Sequence, residues 1–201
     1  MTLPQAYFEH LYSDSPDPWS LAVRWYEQRK YALTVASLPR PRYRRAFEPG
    51  CSVGVLTEQL AARCDSLLAV DVVDQVVEAT ARRLREFPNV DVMRMSVPGE
   101  WPDGGFDLIV LSELGYYLDA THLGELLERS IETLEPGGTL VAVHWRHPVE
   151  DYPALGDDVH RAIRGDGRLV PLAHHEEPDF LIDVLVKPPF RSVAAAEGLV
   201  G

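Results

Sequence analysis

Four short stretches hold the residues best placed to do chemistry. In "FEPGCSVG" (47–54) a carboxylate, Glu48, precedes small residues at every second position: Gly50, Ser52 and Gly54, with Cys51 among them. Asp71 closes a second apolar run, "SLLAVDV", 17 residues after Gly54. "LSELGYYL" (111–118) places Ser112 and Glu113 beside Tyr116 and Tyr117. "HWRHP" carries His144, Trp145 and His147. Small residues let the backbone approach a ligand closely and permit positive φ. A helix that starts directly after such a turn offers its free N–H groups. A carboxylate or an imidazole titrating near neutrality can accept a proton.

Three ligand classes use a small-residue turn of this kind. A phosphate loop needs Lys followed by Ser or Thr after the last glycine, but here Gly54 is followed by Val55 and Leu56, which excludes it. A nicotinamide or flavin fingerprint needs Gly-x-Gly-x-x-Gly, whereas the spacing here is two throughout. The third class is S-adenosylmethionine (SAM), whose methionine end carries an ammonium and a carboxylate. Glu48 suits the ammonium, directly or through water, and the turn's N–H groups suit the carboxylate. Methyl transfer needs no enzyme thiol, so small size is sufficient reason for Cys51.

These residues need elements to hold them. Residues 4–12 predict a short helix, "SDSPDPW" a turn-rich break, and residues 20–38 a helix capped by Ser20 with Leu21, Trp25, Leu33 and Ala36 near helical spacing. A proline-rich basic connector, "PRPRYRR", follows. Strands then alternate with helices: "RRAFEP", "VGVLTEQLAARC", "SLLAVDV", "DQVVEATARRLREF", "VDVMRM", "FDLIVLSE", a helix closed by Pro136-Gly137-Gly138, and "TLVAVHW". That alternation indicates a parallel α/β sheet. The continuously apolar "FDLIVLSE" implies a strand covered on both faces. "YPALGDDVHRAI" reads as a short helix. "RLVPLAHHEEPDFLIDVLVKPP" reads as an antiparallel hairpin at the sheet edge, with His174 and His175 at the surface. In such a sheet ligands bind beyond the carboxyl ends of the strands, where strand order reverses.

"FEPGCSVG", the acid Asp71, "FDLIVLSE" and "LEPGGTLV" together resemble class I SAM-dependent methyltransferases over residues 44 to about 145. The resemblance implies a Rossmann-like seven-stranded sheet with an antiparallel C-terminal edge hairpin and an N-terminal helical lid. It implies that Asp71 holds the ribose hydroxyls, with Val72 beside it. Ser52 stands where the family often has glycine. Ser96 stands where many members carry an aspartate for the adenine amine, leaving backbone groups of Met95, Ser96 and Val97 to do that work. "DPW", "WYEQRKYALTVASLP" and "HWRHP" narrow the likeness to the NodS-like branch, in which a nodulation methyltransferase N-methylates a deacetylated amino sugar.

The expected organisation is a lid over 1–40, a SAM-binding domain over 41–190 and a tail over 191–201. Within the lid, Trp25 and Arg29 lie four apart on one helix face and can stack. Tyr26 or Arg29 is expected to reach the methionine carboxylate, though ordinary packing of an amphipathic helix accounts for this segment equally well. Tyr12, Trp19, Tyr116, Trp145 and His147 are expected to wall the acceptor, and Glu113, His144 and Tyr117 to act on it. A capping acid, packing aromatics and a buried hydrogen-bonded histidine are the alternative readings. His144 and His147 do not suit a metal, because no third ligand accompanies them.

Net charge is −12, from 19 basic and 31 acidic residues, which argues against nucleic acid and against an anionic membrane surface. A neutral or cationic small molecule suits that field better. The two cysteines, Cys51 and Cys64, have no zinc or disulfide spacing, and no secretory leader is visible, so a reducing cytoplasm is expected. The longest apolar runs are too short to span a bilayer. The reading is a methyltransferase, monomeric or homodimeric, acting on the amine of an amino sugar or related natural-product intermediate. Its alternatives are oxygen methylation of a sugar or polyketide hydroxyl, and a SAM-binding protein without transferase activity.

Overall fold

A computed structural model describes residues 1–200. Seven strands form one sheet in the order β3-β2-β1-β4-β5-β7-β6. The strands are β1 (Tyr43–Pro49), β2 (Cys64–Asp71), β3 (Val90–Arg94), β4 (Phe106–Ser112), β5 (Leu134–Trp145), β6 (Val170–Glu176) and β7 (Phe180–Val186). The first five run parallel; β7 runs antiparallel to β5, and β6 antiparallel to β7. The Rossmann-like sheet and the edge hairpin expected from the sequence are both present. Strand order reverses between β1 and β4, which puts a cleft at their carboxyl ends.

The helices are α1 (Gln5–Asp14), α2 (Trp25–Ala36), α3 (Val55–Ala61), α4 (Asp74–Arg83), α5 (Ala120–Thr133), α6 (Gly156–Gly165) and the one-turn α7 (Val193–Ala196). All seven residues of β4 are buried because helices cover both faces. Ile109, Leu111, Leu140 and Ala142 point to a core shared with Leu126 and Ile131 of α5 and Val159 and Ile163 of α6. Leu108, Val110, Val141 and Val143 alternate with them and meet Tyr31 of α2 and Leu56 and Leu60 of α3. This period-two division is the strand pleat acting on an unbroken apolar run. Helix α5 forms because Asp119 accepts from His122 N (3.1 Å) at its start and Leu123, Leu126, Leu127 and Ile131 share its inner face.

Two boundaries differ from expectation. Ser20 does not cap α2, which begins at Trp25; Ser20 has φ +58°. Asp17 captures the backbone instead, accepting from Leu21 N (2.8 Å) and Ala22 N (3.0 Å), so residues 17–24 fold as a turn. Pro136-Gly137-Gly138 does not close a helix either. Helix α5 ends at Thr133, and these residues enter β5, where pairing with β4 shifts between Phe106 and Leu108. In the C-terminal segment α7 is capped by Ser192; residue 201 lies outside the described residues. Among the described residues no helix is long and apolar enough to cross a membrane.

Candidate active site

The turn after β1 is left-handed at three positions, Gly50 (φ +75°), Ser52 (+48°) and Gly54 (+77°). Glycine adopts such φ without a Cβ clash, whereas Ser52 needs compensation. Its N–H donates to Asp71 Oδ2 (3.0 Å) and its hydroxyl bonds the Tyr12 hydroxyl (2.5 Å). The expectation that the turn's N–H groups face a ligand needs correction. Gly50 N and Cys51 N donate to Val70 O at 2.7 and 2.9 Å, and Gly54 N donates to Cys51 O at 3.0 Å. Those four amides are held by β2 and by the turn itself, while Gly50 and the first α3 residues, Val55 and Leu56, border the cavity.

That cavity, of about 720 Å³, opens at the carboxyl ends of β1, β2 and β4. Glu48 is 2% exposed and lines it, with Oε2 lacking any hydrogen-bond partner. Burial pushes its pKa up to about 8, partly offset by the Thr57 hydroxyl. Asp71 lines the cavity from the end of β2 and accepts from Ser52 N and Val73 N. Burial raises its pKa and those two backbone donors work against the rise. Cys51, Ser52, Gly50, Val72, Met95, Ser96, Val97 and Ser112 line the same space.

Helices α1 and α2 roof it. Tyr12 and Trp19 meet edge to face at 5.6 Å, and Tyr26 meets Trp145 at 5.5 Å. The Tyr26 hydroxyl is buried without a partner, and Arg24, at the start of α2, reaches the cavity. The buried face of α2 is Glu27, Lys30, Tyr31 and Thr34, not the Trp25–Leu33–Ala36 stripe; Trp25 is 73% exposed. Lys30 Nζ lies 2.5 Å from Glu113 Oε1 and 2.8 Å from Glu27 Oε2. Burial opposes its charge, yet the two carboxylates raise its pKa on balance.

Glu113 follows β4 with φ +53°, the left-handed conformation for a non-glycine residue at the cleft. Three donors hold its carboxylate: Lys30 Nζ, the Tyr116 hydroxyl (2.5 Å) and Trp145 N (2.9 Å). Tyr116 stacks on Tyr152 at 5.0 Å, and Tyr117 meets Tyr152 edge to face at 4.8 Å. Asp179, on the turn before β7, completes an aromatic and acidic wall.

Four of the expected residues lie off the cavity. Arg29 forms a bidentate pair with Glu177 at 2.8 and 2.6 Å and sits over Phe180, not over Trp25. His147 is exposed and pairs with Asp179 at 2.7 Å. Gly54 starts α3 against Thr80. His144 is fully buried, its Nε2 accepting from Gly115 N at 3.1 Å, which leaves no free nitrogen for an acceptor. Burial first, then His160 and Lys30, hold its pKa far below the ordinary range. Glu27, Lys30, Tyr31, Tyr152 and Arg24 line the cavity unforeseen. The 27–30–31–34 spacing on α2 was the signal available for three of them. Among the described residues no His, Cys, Asp and Glu cluster could hold a metal.

The model of the family described as "Nodulation protein S (NodS)" matches residues 9–150. Nodulation protein S of Rhizobium tropici is 33% identical over 127 residues, 62% of this chain and 53% of that protein. The Bradyrhizobium diazoefficiens protein of the same name is 33% identical over 132 residues, 61% of its own length. The match thus spans little more than half of these curated relatives. A candidate methyltransferase from Pseudomonas syringae has a solved structure that is 44% identical, with TM-score 0.74, covering 82% of this chain and 100% of that one. The N-methyltransferase NodS from Bradyrhizobium japonicum WM9, solved with S-adenosylhomocysteine, shares the fold at TM-score 0.82 and 22% identity, covering 92% and 98%.

Proposed function

The chain belongs to the NodS family, and from that premise we propose that it binds SAM in the cavity and transfers the methyl group to the amine of a small molecule. One observation carries the reading most: Glu48, buried and with one carboxylate oxygen unpartnered, lines the same cavity as Asp71 and Glu113. A buried carboxylate without a partner is costly, and a ligand ammonium would remove that cost. Asp71 would hold the ribose hydroxyls. With Gly50, Cys51, Ser52 and Gly54 N–H already bonded, the Tyr26 hydroxyl and Arg24 are the side-chain donors that suit the methionine carboxylate. SAM supplies an electrophilic methyl on a sulfonium, and transfer is an in-line displacement.

The protein's part is to orient and to exclude water. Residues 1–40 serve as a lid over the domain of 41–190, with 191–201 as a tail. Glu113, held by three donors, orients the acceptor nitrogen rather than acting as a free base. Tyr116, Tyr117, Trp145 and Tyr152 wall the acceptor, and Glu27, Glu113 and Asp179 outweigh Lys30 in charge, which favours a cationic amine over an anion. An amino sugar or related natural-product intermediate, methylated in the cytoplasm, is the acceptor class we favour; the NodS family membership supports it. Calorimetry with SAM and S-adenosylhomocysteine tests the root of the proposal, with binding of both expected. Isotope-labelled methyl transfer to a panel of amines and hydroxyls, with the methylated atom located by NMR, tests the rest. No binding of either nucleoside would end the reading, and label on oxygen alone would replace the amine by a hydroxyl.

A further inference from the structure

Behind the acceptor wall runs a chain of buried polar groups that methyl transfer does not use. Gly115 N donates to His144 Nε2 (3.1 Å), His144 Nδ1 meets His160 Nε2 (3.1 Å), and His160 Nδ1 meets Asp183 Oδ2 (2.6 Å). His144 lies on β5, His160 on α6 and Asp183 on β7; both imidazoles are fully buried and Asp183 is nearly so. Beyond Asp183 the chain reaches the surface through His174 Nδ1 (2.8 Å), with Arg164 Nε at 3.6 Å.

A donor-only amide at one end and an acceptor-only carboxylate at the other constrain the proton positions. A peptide N–H can only donate, so His144 Nε2 is an acceptor and the His144 proton sits on Nδ1. His144 Nδ1 therefore donates to His160 Nε2, which leaves the His160 proton on Nδ1, facing a carboxylate that only accepts. Each link dictates the next, and Asp183 is the one member whose charge sets the direction. Burial works against ionisation of Asp183, but His160, His174 and Arg164 hold it below the usual carboxylate range. The far end of the chain is the segment that bears Glu113, Tyr116 and Tyr117. That segment is tightly seated: a Cβ at Gly115 would stand 2.5 Å from Val159 Cγ1 of α6.

We propose that Asp183, acting through His160 and His144, is a positioning residue for the acceptor wall: it fixes both imidazole tautomers and so keeps an acceptor on the Gly115 amide. That Glu113 and Tyr116 face an acceptor rests on the proposed function; the proton arrangement does not. With Asp183→Asn the acceptor-only end is lost: the amide can present a donor to His160 Nδ1, and the population that does so reverses both tautomers and sets two donors face to face at Gly115.

Long-range proton–nitrogen NMR of the wild-type chain at neutral pH is expected to show the Nδ1–H tautomer at both His144 and His160. An Nε2–H signature at either residue overturns the proposal. In Asp183→Asn, hydrogen exchange at the Gly115 amide should quicken by about five- to tenfold, the loss of one buried hydrogen bond. S-adenosylhomocysteine affinity by calorimetry should stay within about twofold, because the cofactor half is untouched. Affinity falling together with protection would mean a general structural role, and unchanged exchange would mean no coupling; either overturns the proposal. His144→Gln places a carbonyl where Nε2 stood, so Gly115 protection should persist in it and Asp183→Asn should then add nothing. An equal effect of Asp183→Asn in that background argues against the relay. If Asp183→Asn does not fold, the same exchange measurement in His160→Gln, which breaks the link between Asp183 and His144, decides: Gly115 protection equal to wild type overturns the proposal. Failure of the nucleoside to bind wild type would sink the methyltransferase reading without touching the tautomers.

Discussion

Lys30 Nζ and Glu113 Oε1 stand 2.5 Å apart and join α2 to the segment after β4. Lys30 is 2% exposed and also pairs with Glu27, so one cation serves two acids inside the protein. The roof of the cavity and the wall that bears Glu113 therefore share a charge.

Removing that charge should be costly. Lys30→Met keeps the stem's packing but leaves Glu27 and Glu113 without their counter-ion. Breaking one partner of a buried ion pair typically costs about 3–5 kcal/mol. We expect a fall of that order in urea unfolding, with part of it recovered when Glu27→Gln is added, since one acid then no longer needs compensation. An unchanged midpoint for Lys30→Met would show that the triad does not hold the roof.

Glu48 should make both stability and cofactor binding depend on pH. Its folded pKa, about 8, lies above the ordinary 4.5, so between those values the folded chain holds a proton that the unfolded chain has lost. The resulting stability is full below about 4.5 and is lost as pH rises through about 8. Wild type should therefore lose stability relative to Glu48→Gln as pH climbs from 5 to about 8. A ligand ammonium favours the ionised carboxylate, so binding near pH 7 should release up to about one proton. Calorimetry of S-adenosylhomocysteine in buffers of different ionisation enthalpy reads this directly. The slope should be present in wild type and near zero in Glu48→Gln; equal slopes would refute the linkage.

The parts of this protein legible in its sequence are those set by local pattern. The unbroken apolar run of β4, the small-residue turn and the acid ending β2 are all local signals, and they located the centre of the sheet and most of the cavity. What the sequence hid depends on pairing across long separations. Glu113 reads as a free acid until Lys30, 83 residues away, is seen bonded to it. His144 reads equally as a base or as a buried hydrogen-bonded imidazole, and only Gly115 and His160, which occupy both its nitrogens, decide for the second. On α2, apolarity pointed to the wrong face, because a buried triad of charges satisfies itself and looks like surface in the sequence.

The turn itself makes a stability prediction. Gly54 has φ +77°, and a Cβ there would lie 2.7 Å from Thr80 Cγ2, whose own Oγ1 donates to Ser52 O. Gly54→Ala combines left-handed strain of about 1–2 kcal/mol with displacement of Thr80, so it should lower stability by at least that amount. Gly124, within α5, has open space where a Cβ would stand and ordinary helical φ, so Gly124→Ala should gain about 0.5–1 kcal/mol. Thermal unfolding of the two variants in opposite directions checks both; a neutral Gly54→Ala would show that the turn relaxes.

Tyr116 offers a test that tells cofactor binding from acceptor handling. Its hydroxyl donates to Glu113 Oε2 at 2.5 Å while its ring stacks on Tyr152, so Tyr116→Phe removes one donor and leaves the packing. A hydrogen bond to a charged group contributes about 1.5–3 kcal/mol, which corresponds to roughly 10- to 100-fold. Glu113 would keep Lys30 and Trp145 N but lose its third donor, and with it one constraint on the carboxylate that the proposed function sets against the acceptor. We expect kcat/KM for an acceptor amine to fall by about tenfold or more, while S-adenosylhomocysteine affinity holds, because Glu48 and Asp71 are untouched. Steady-state kinetics with calorimetry on the same preparation reads both quantities. Equal losses in the two would place Tyr116 with the cofactor, and no loss in either would leave Glu113 positioned by Lys30 and the backbone alone.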